Sequence, residues 1–144
     1  MKTINLILSS FIICFSSCLN DIDNYEAPNG GIEGLILDAE TNEPIPLPVT
    51  GSTGVIINLH EQNTEATKTI DFYAKADGSY ENSKVFNGDY KIVVNGPFVS
   101  PCEGAIKING QTNYNLTATP YARISATASV SGQTVSISYK VSPT

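Results

Sequence analysis

The sequence predicts an all-β fold, a sandwich of about seven short strands joined by hairpins, and three observations predict it. From Gly30 onward, apolar and polar residues alternate in short runs separated by Gly, Pro, Asn and Asp. Asp77-Gly78 and Asn87-Gly88 have the composition of two-residue hairpin turns, which need positive φ angles that Asp, Asn and Gly reach cheaply. Only 15% of residues are charged, β-branched residues are plentiful, and no heptad or long helical stripe competes.

Taken in order, Ile32 to Asp38 reads as the first strand, with Ile32, Gly34 and Ile36 on one face and Glu33, Leu35 and Leu37 on the other. Asp38 to Pro48 is a loop. Val55, Ile57 and Leu59 then share a face opposite Ile56, Asn58 and His60, and the polar stretch Glu61 to Lys68 turns the chain. In Thr69 to Lys75, the residues Ile70, Phe72 and Ala74 point inward. Asp77-Gly78 closes a hairpin into the strand opened by Tyr80. Asn87-Gly88 closes the next, and Tyr90, Ile92 and Val94 share a face until Asn95-Gly96-Pro97 breaks the run. Ala105 to Ile108 and Tyr114 to Thr117 flank a turn at Asn109-Gly110 and complete the sheets before Pro120. The expected core contains Ile36, Val55, Ile57, Phe72, Tyr80, Tyr90, Ile92 and Val94. A register slip of one residue would turn any of these strands inside out.

Residues 1–17 have the form of a signal peptide. Lys2 supplies a positive charge, and Ile4 to Phe15 is a mostly apolar run, shorter than the roughly 20 residues that span a bilayer. Phe15-Ser16-Ser17-Cys18 resembles the bacterial lipoprotein signal, in which small residues precede a cysteine that is acylated and becomes residue one. Cys18 is therefore the expected lipidation site, and the outer membrane the expected partner through that lipid. Cys14 follows Ile12 and Ile13 and fits less well. An ordinary secretory peptide cleaved near Ser17 would leave Cys18 as a free thiol of no evident use. Residues 18–30, with Asp21, Asp23 and Asn24, read as an acidic flexible tether. An acidic patch so near the lipid cysteine resembles the surface-export signal of Bacteroidetes lipoproteins, which implies a module facing the cell exterior. Cys102 is then left without a partner and is expected to be a small buried thiol.

Composition narrows the chemistry. Formal net charge is −6 and no basic cluster is available to neutralise phosphates, which argues against nucleic acid. His60 is the only histidine, so multi-histidine zinc sites cannot form, and no nucleophile-elbow pattern surrounds a serine. Glu40 and Glu43 flank Pro44 in a loop, where turn formation explains them better than acid-base work. Asp38, Glu40, Glu43 and Asp77 are oxygen ligands on loops, yet their spacing is not that of an EF-hand. The chain reads as a non-enzymatic module with no metal and no cofactor. For sugar binding, the useful residues are exposed aromatics with amides and carboxylates beside them. The chain has no tryptophan. Among its tyrosines, Tyr73 alternates outward with Asp71 and Lys75 and is the best single candidate for a ligand contact. An exposed cross-strand tyrosine with only a packing role has the same pattern.

The motifs have an order that resembles a known family. Gly34-Leu35-Ile36-Leu37-Asp38-Ala39-Glu40-Thr41-Asn42-Glu43-Pro44-Ile45, then Asp77-Gly78-Ser79-Tyr80, then Asn87-Gly88-Asp89-Tyr90-Lys91-Ile92 resemble the carboxypeptidase-regulatory-like domain, a transthyretin-like seven-stranded β-sandwich. On this resemblance the sandwich occupies residues 31–120, with Tyr80 and Tyr90 as its buried aromatics. The acidic leader, the segment from Asp23 to Pro28 and the region after Tyr121 resemble, more narrowly, a Bacteroidetes lipoprotein family of unknown function. That resemblance implies an accessory glycan-binding or spacer component of a polysaccharide-uptake system, encoded beside a starch-utilisation-type transporter and its glycan receptor. A structural or interaction protein, such as a transporter scaffold or a fimbria-like subunit, is the alternative.

Residues 121–144 stand apart. Ile124, Ala126, Ala128 and Val130 alternate with polar residues, Ser131-Gly132-Gln133 turns the chain, and Val135, Ile137, Tyr139 and Val141 alternate again. This is a hairpin with one apolar face, expected to be the opening of a second sandwich domain that the chain does not finish; the family resemblance implies that this domain is immunoglobulin-like. The rival expectation is that the two strands add to the first sandwich and complete it.

Overall fold

The computed structural model describes residues 26–49 and 53–144, so the expected leader, Cys18 and most of the expected acidic tether lie outside the described residues. Ten strands follow: β1 Gly30–Asp38, β2 Ile56–Glu61, β3 Ile70–Tyr73, β4 Ser79–Val85, β5 Gly88–Asn95, β6 Cys102–Ile108, β7 Gln111–Asn113, β8 Leu116–Ala118, β9 Ala122–Ser131 and β10 Thr134–Pro143. No helix occurs among the described residues.

Two sheets build the expected sandwich. In one, β4 lies antiparallel to β1, and β7 and β8 run parallel to β1 on its other side. In the other, β3, β2, β5 and β6 form an antiparallel row. β7 and β8 are two halves of one course, facing Gly31 to Glu33 and then Ile36 to Asp38, so eight strand segments make seven courses. The expected strand from Tyr114 to Thr117 is thus broken at its start. The Tyr114 N–H donates to the Glu33 carbonyl at 2.8 Å, and the Asn115 side chain takes the Leu35 N–H at 2.9 Å, so the interruption leaves no backbone group of β1 unpaired there. Gly34 is needed at this point because a Cβ would run into the Tyr114 carbonyl.

The inner faces supply the core. Ile32, Ile36, Val55, Ile57, Leu59, Tyr80, Tyr90, Ile92 and Val94 are all buried, as period-two alternation requires. Phe72 departs from the expectation. It is half-buried, packed against the core with its ring 6.4 Å from that of Tyr80, because β3 is an edge strand with β2 alone beside it. Three further core residues, Ile45, Leu47 and Phe98, come from loops, where no periodicity marks them.

The Asp77-Gly78 and Asn87-Gly88 turns do not close hairpins. Asp77-Gly78 is a true reversal: Gly78 has φ +84°, its N–H donates to the Lys75 carbonyl at 3.0 Å, and the Lys75 N–H donates to the Ser79 carbonyl at 2.8 Å. Yet β3 pairs with β2, and β4 pairs with β1. The turn is a corner that carries the chain from one sheet to the other. Asn87-Gly88 is another corner, between β4 and β5, and Gly88 has no positive φ; it is already the first residue of β5. Asn87 contributes its side chain instead, accepting the Gly110 N–H at 2.8 Å and so tying this corner to the third, at Gly110 with φ +67°. Local turn chemistry fixes a reversal, whereas the partner of each strand is fixed by which apolar face must be covered.

The last two strands join neither sheet. Among the described residues, β9 and β10 pair only with each other, over ten residue pairs, through a tight turn in which Gly132 has φ +59°, as a type II′ turn requires of its first central residue.

Candidate functional site

Two surfaces on the sandwich combine polar and apolar groups. The first is the outer face of the four-stranded sheet. Because β3, β2 and β5 turn Phe72, Ile57 and Val94 inward, the alternate residues Asp71, Tyr73, Ile56, Asn58 and Asn95 must face outward. Tyr73 is 45% exposed on the edge strand, opposite Ile56, which is in turn opposite Asn95. One step along, Asp71 is opposite Asn58. The Asn95 amide donates to Asn58 Oδ1 at 2.7 Å, and the Asn58 amide donates to Asp71 Oδ1 at 2.7 Å. Hydrogen bonds from Thr69 and Asn58 hold the Asp71 carboxyl below its ordinary range, with a smaller contribution from the nearby His60. Tyr73 therefore stands beside a fixed row of two amides and a carboxylate. His60 is exposed on the same face opposite Lys91, and Lys91 pairs with Glu103 at 2.9 Å.

The second surface is a cleft of about 580 Å³ at the end of the sandwich. Its walls are residues 44–48, Pro97, Pro120, Tyr121 and Ile124, mostly proline and aliphatic, with Asp38 and Arg123 among the polar lining. Arg123, the chain's only arginine, reaches from β9 to the end of β1. Its Nε lies 2.7 Å from Asp38 Oδ2 and its Nη2 2.8 Å from Oδ1, while Nη1 lies 2.7 Å from Glu40 Oε2. Asp38 also accepts the Glu40 N–H at 2.8 Å. The Arg123 guanidinium and this backbone donor lower the Asp38 pKa to about 2 against the opposing effect of burial. The same pairing raises the Arg123 pKa.

Three of the four candidate oxygen ligands, Asp38, Glu40 and Asp77, have other engagements. Asp38 and Glu40 are held by Arg123, and Asp77 accepts the N–H and hydroxyl of Ser79 at 3.0 and 2.7 Å. Among the described residues, no group of three or more His, Cys, Asp or Glu side chains could hold a metal ion. Cys102 is buried opposite Val94, and burial pushes its thiol pKa up to about 11, so it is neutral and shielded. Tyr80 donates its hydroxyl to the Tyr114 carbonyl, and burial raises its pKa. Tyr90 donates to the Phe86 carbonyl at 3.0 Å, pinning the corner between β4 and β5.

Tyr73 was legible in the sequence, but its amide row was not, because partners on β2 and β5 lie 13 and 37 residues apart along their hydrogen-bond links. Arg123 was missed altogether. A lone arginine in a chain that otherwise uses lysine was the available signal.

Fold and surface together define an all-β sandwich that carries a separate two-stranded sheet. The chain belongs to the family of proteins of unknown function DUF3823, whose N-terminal-domain profile matches residues 30–119. Among solved structures it is similar to a DUF3823 family protein from Parabacteroides merdae, with 26% identity and a TM-score of 0.69 over 82% of this chain and 60% of that one. It is likewise similar to a candidate carbohydrate-binding protein from Bacteroides uniformis, with 26% identity and a TM-score of 0.67 over 81% of this chain and 54% of that one. A second Bacteroides uniformis protein of the DUF3823 family, 23% identical with a TM-score of 0.69 over 81% of this chain and 54% of that one, shares the fold. The chain thus spans a little over half the length of these solved relatives. No curated protein matches it.

Proposed function

We propose that this protein is a glycan-binding accessory module of a polysaccharide-uptake system, held at the outer membrane by lipid on Cys18 and facing the cell exterior. The observation that carries the reading is Tyr73 standing exposed beside the hydrogen-bonded row Asp71, Asn58 and Asn95. An aromatic face offers apolar contact to the C–H face of a pyranose, and fixed amide and carboxylate groups offer partners to its hydroxyls. The likeness to a candidate carbohydrate-binding protein supports the same reading. The module acts by binding and not by catalysis. Its partners in this reading are glycan and a starch-utilisation-type transporter and receptor pair. Affinity electrophoresis of the leader-free protein against a panel of polysaccharides tests it, with Tyr73→Ala as the control. Retardation lost in the variant is the expected result, and no retardation by any polysaccharide would overturn the glycan reading.

The alternative, a scaffold or fimbria-like subunit, draws support from a specific observation, the exposed apolar face and free edges of β9 and β10. Lipidation has its own test. Mass spectrometry of membrane fractions should find a diacylglyceryl Cys18, and Cys18→Ala should release the protein from the membrane.

A further inference from the structure

We infer that the outer face of the four-stranded sheet takes a neutral polysaccharide along its length, binding about two internal sugar residues between Tyr73 and Asn95 rather than a chain end. This rests on the glycan reading above and narrows it to one ligand class and one mode of binding.

The mode follows from topology. The line from Tyr73 through Ile56 to Asn95 crosses β3, β2 and β5 at right angles to the strands, with the hydrogen-bonded Asp71 and Asn58 two residues to one side of it, and adjacent strands are about 4.8 Å apart, so Tyr73 and Asn95 are separated by roughly 10 Å, a disaccharide's span. Among the described residues, neither end of this line is walled by a strand. β3 is the edge of its sheet, and the pairing of β5 with β6 stops at Val94, one residue short of Asn95. A chain lying on this row can run on past both ends.

The class follows from the polar groups. Asp71 offers only acceptor oxygens, already engaged by Thr69 and Asn58, so a ligand that uses its remaining lone pairs must bring hydroxyl donors. Asn58 spends its oxygen on Asn95 and one N–H on Asp71, and Asn95 keeps its own oxygen free of that link. A uronate or sulfate would be set against the Asp71 carboxylate. The nearby cations do not offset this: Lys91 is paired with Glu103 at 2.9 Å, and Lys75 with Glu81 at 3.6 Å. The chain's net charge of −6 adds a general repulsion of polyanions.

Titration calorimetry on the leader-free protein tests this with two neutral polysaccharides, a mixed-linkage β-glucan and starch, and two acidic ones, polygalacturonate and alginate. At least one neutral polymer should bind. Its affinity should be unchanged by reduction of its chain ends and should fall about tenfold in Tyr73→Ala, as expected for losing one stacked ring. Asn95→Ala should weaken it as well. Both side chains are exposed, so far-UV circular dichroism should match the parent in both variants. Tighter binding of an acidic polymer, or binding lost when chain ends are reduced, would overturn this inference while leaving the glycan reading intact. Neutral binding indifferent to both substitutions would move the site elsewhere and overturn it too. No binding to any of the four would overturn it together with the glycan reading.

Discussion

Ile36 and Ile137 both lie on the apolar face of an alternating strand, yet Ile36 is fully buried and Ile137 is 67% exposed. In β1 the inward residues are covered by a second sheet. In the β9–β10 hairpin the pairs Ile124 with Val141, Ala126 with Tyr139, Ala128 with Ile137 and Val130 with Val135 line up on one face and nothing among the described residues covers them. Tyr139 is 74% exposed there. Alternation decides which side chains share a face, and only long-range packing decides whether the face is dry. The hairpin is therefore held by its ladder, its type II′ turn and the ties at its base: the Arg123 clamp, the Tyr121 N–H to the Pro97 carbonyl at 3.0 Å, and the Thr144 hydroxyl to the Pro120 carbonyl.

Ile92→Ala should give the largest contrast. It empties a site on the inner face of β5 and should cost about 2–5 kcal/mol of unfolding free energy, measured by urea titration. A cost below about 1 kcal/mol would mean that the sandwich is as loosely packed as the hairpin. Phe72→Ala should cost less, about 2 kcal/mol, since a half-buried ring on an edge strand leaves a smaller cavity than the 3–5 kcal/mol of a fully enclosed one.

The junction between the regions gives a pH-dependent effect. Asp38 is held at a pKa of about 2 against an ordinary 3.8, so its pairing with Arg123 contributes stability that is complete above about pH 4 and is lost as pH falls through 2. Asp71 and Asp77 shift in the same direction, so the clamp's share is read as a difference. Arg123→Ala should destabilise at pH 5 and have a shallower acid limb than the parent in thermal melts from pH 5 to 2. Parallel acid limbs would show that the clamp contributes nothing. The smallest effect is Ile137→Ser, within about 0.5 kcal/mol, because the side chain is mostly exposed already. A larger loss would reveal a cover over the apolar face.

The sandwich was legible because Ile32, Ile36, Ile57, Leu59, Ile92 and Val94 obey period two over whole strands, and a buried face leaves little choice of register. The hairpin's own register was legible for the same reason. The misread turns have a common cause. Asp77-Gly78 and Asn87-Gly88 were assigned to hairpins on composition, but Lys75 to Ser79 is a local reversal between strands of opposite sheets, and Gly88 needs no left-handed backbone at all. Ile45, Leu47 and Phe98 were invisible because loops have no period. Tyr73 could be found by its outward phase, while Asn58 and Asn95 became its neighbours only once β2 was seen lying between β3 and β5. Nothing near Arg123 in the chain marks its role, because its partner, Asp38, is 85 residues away.

The course formed by β7 and β8 also sets the order in which the molecule can assemble. It closes against β1, the first strand of the fold, through contacts such as Leu35 to Asn115, 80 residues apart. A loop of that length must be closed before any of those contacts is formed, an entropic toll that grows with the logarithm of its size. The Gly78 and Gly110 corners do reach β1, their carbonyls taking the Ile36 N–H at 2.9 Å and the Gly31 N–H at 3.1 Å, but those contacts are themselves distant in sequence and cannot act as local nuclei. Refolding should therefore be slow for so small a domain, in the millisecond-to-second range of sandwiches rich in distant pairings, and β1 should wait with its parallel edge open until Ala118 is available.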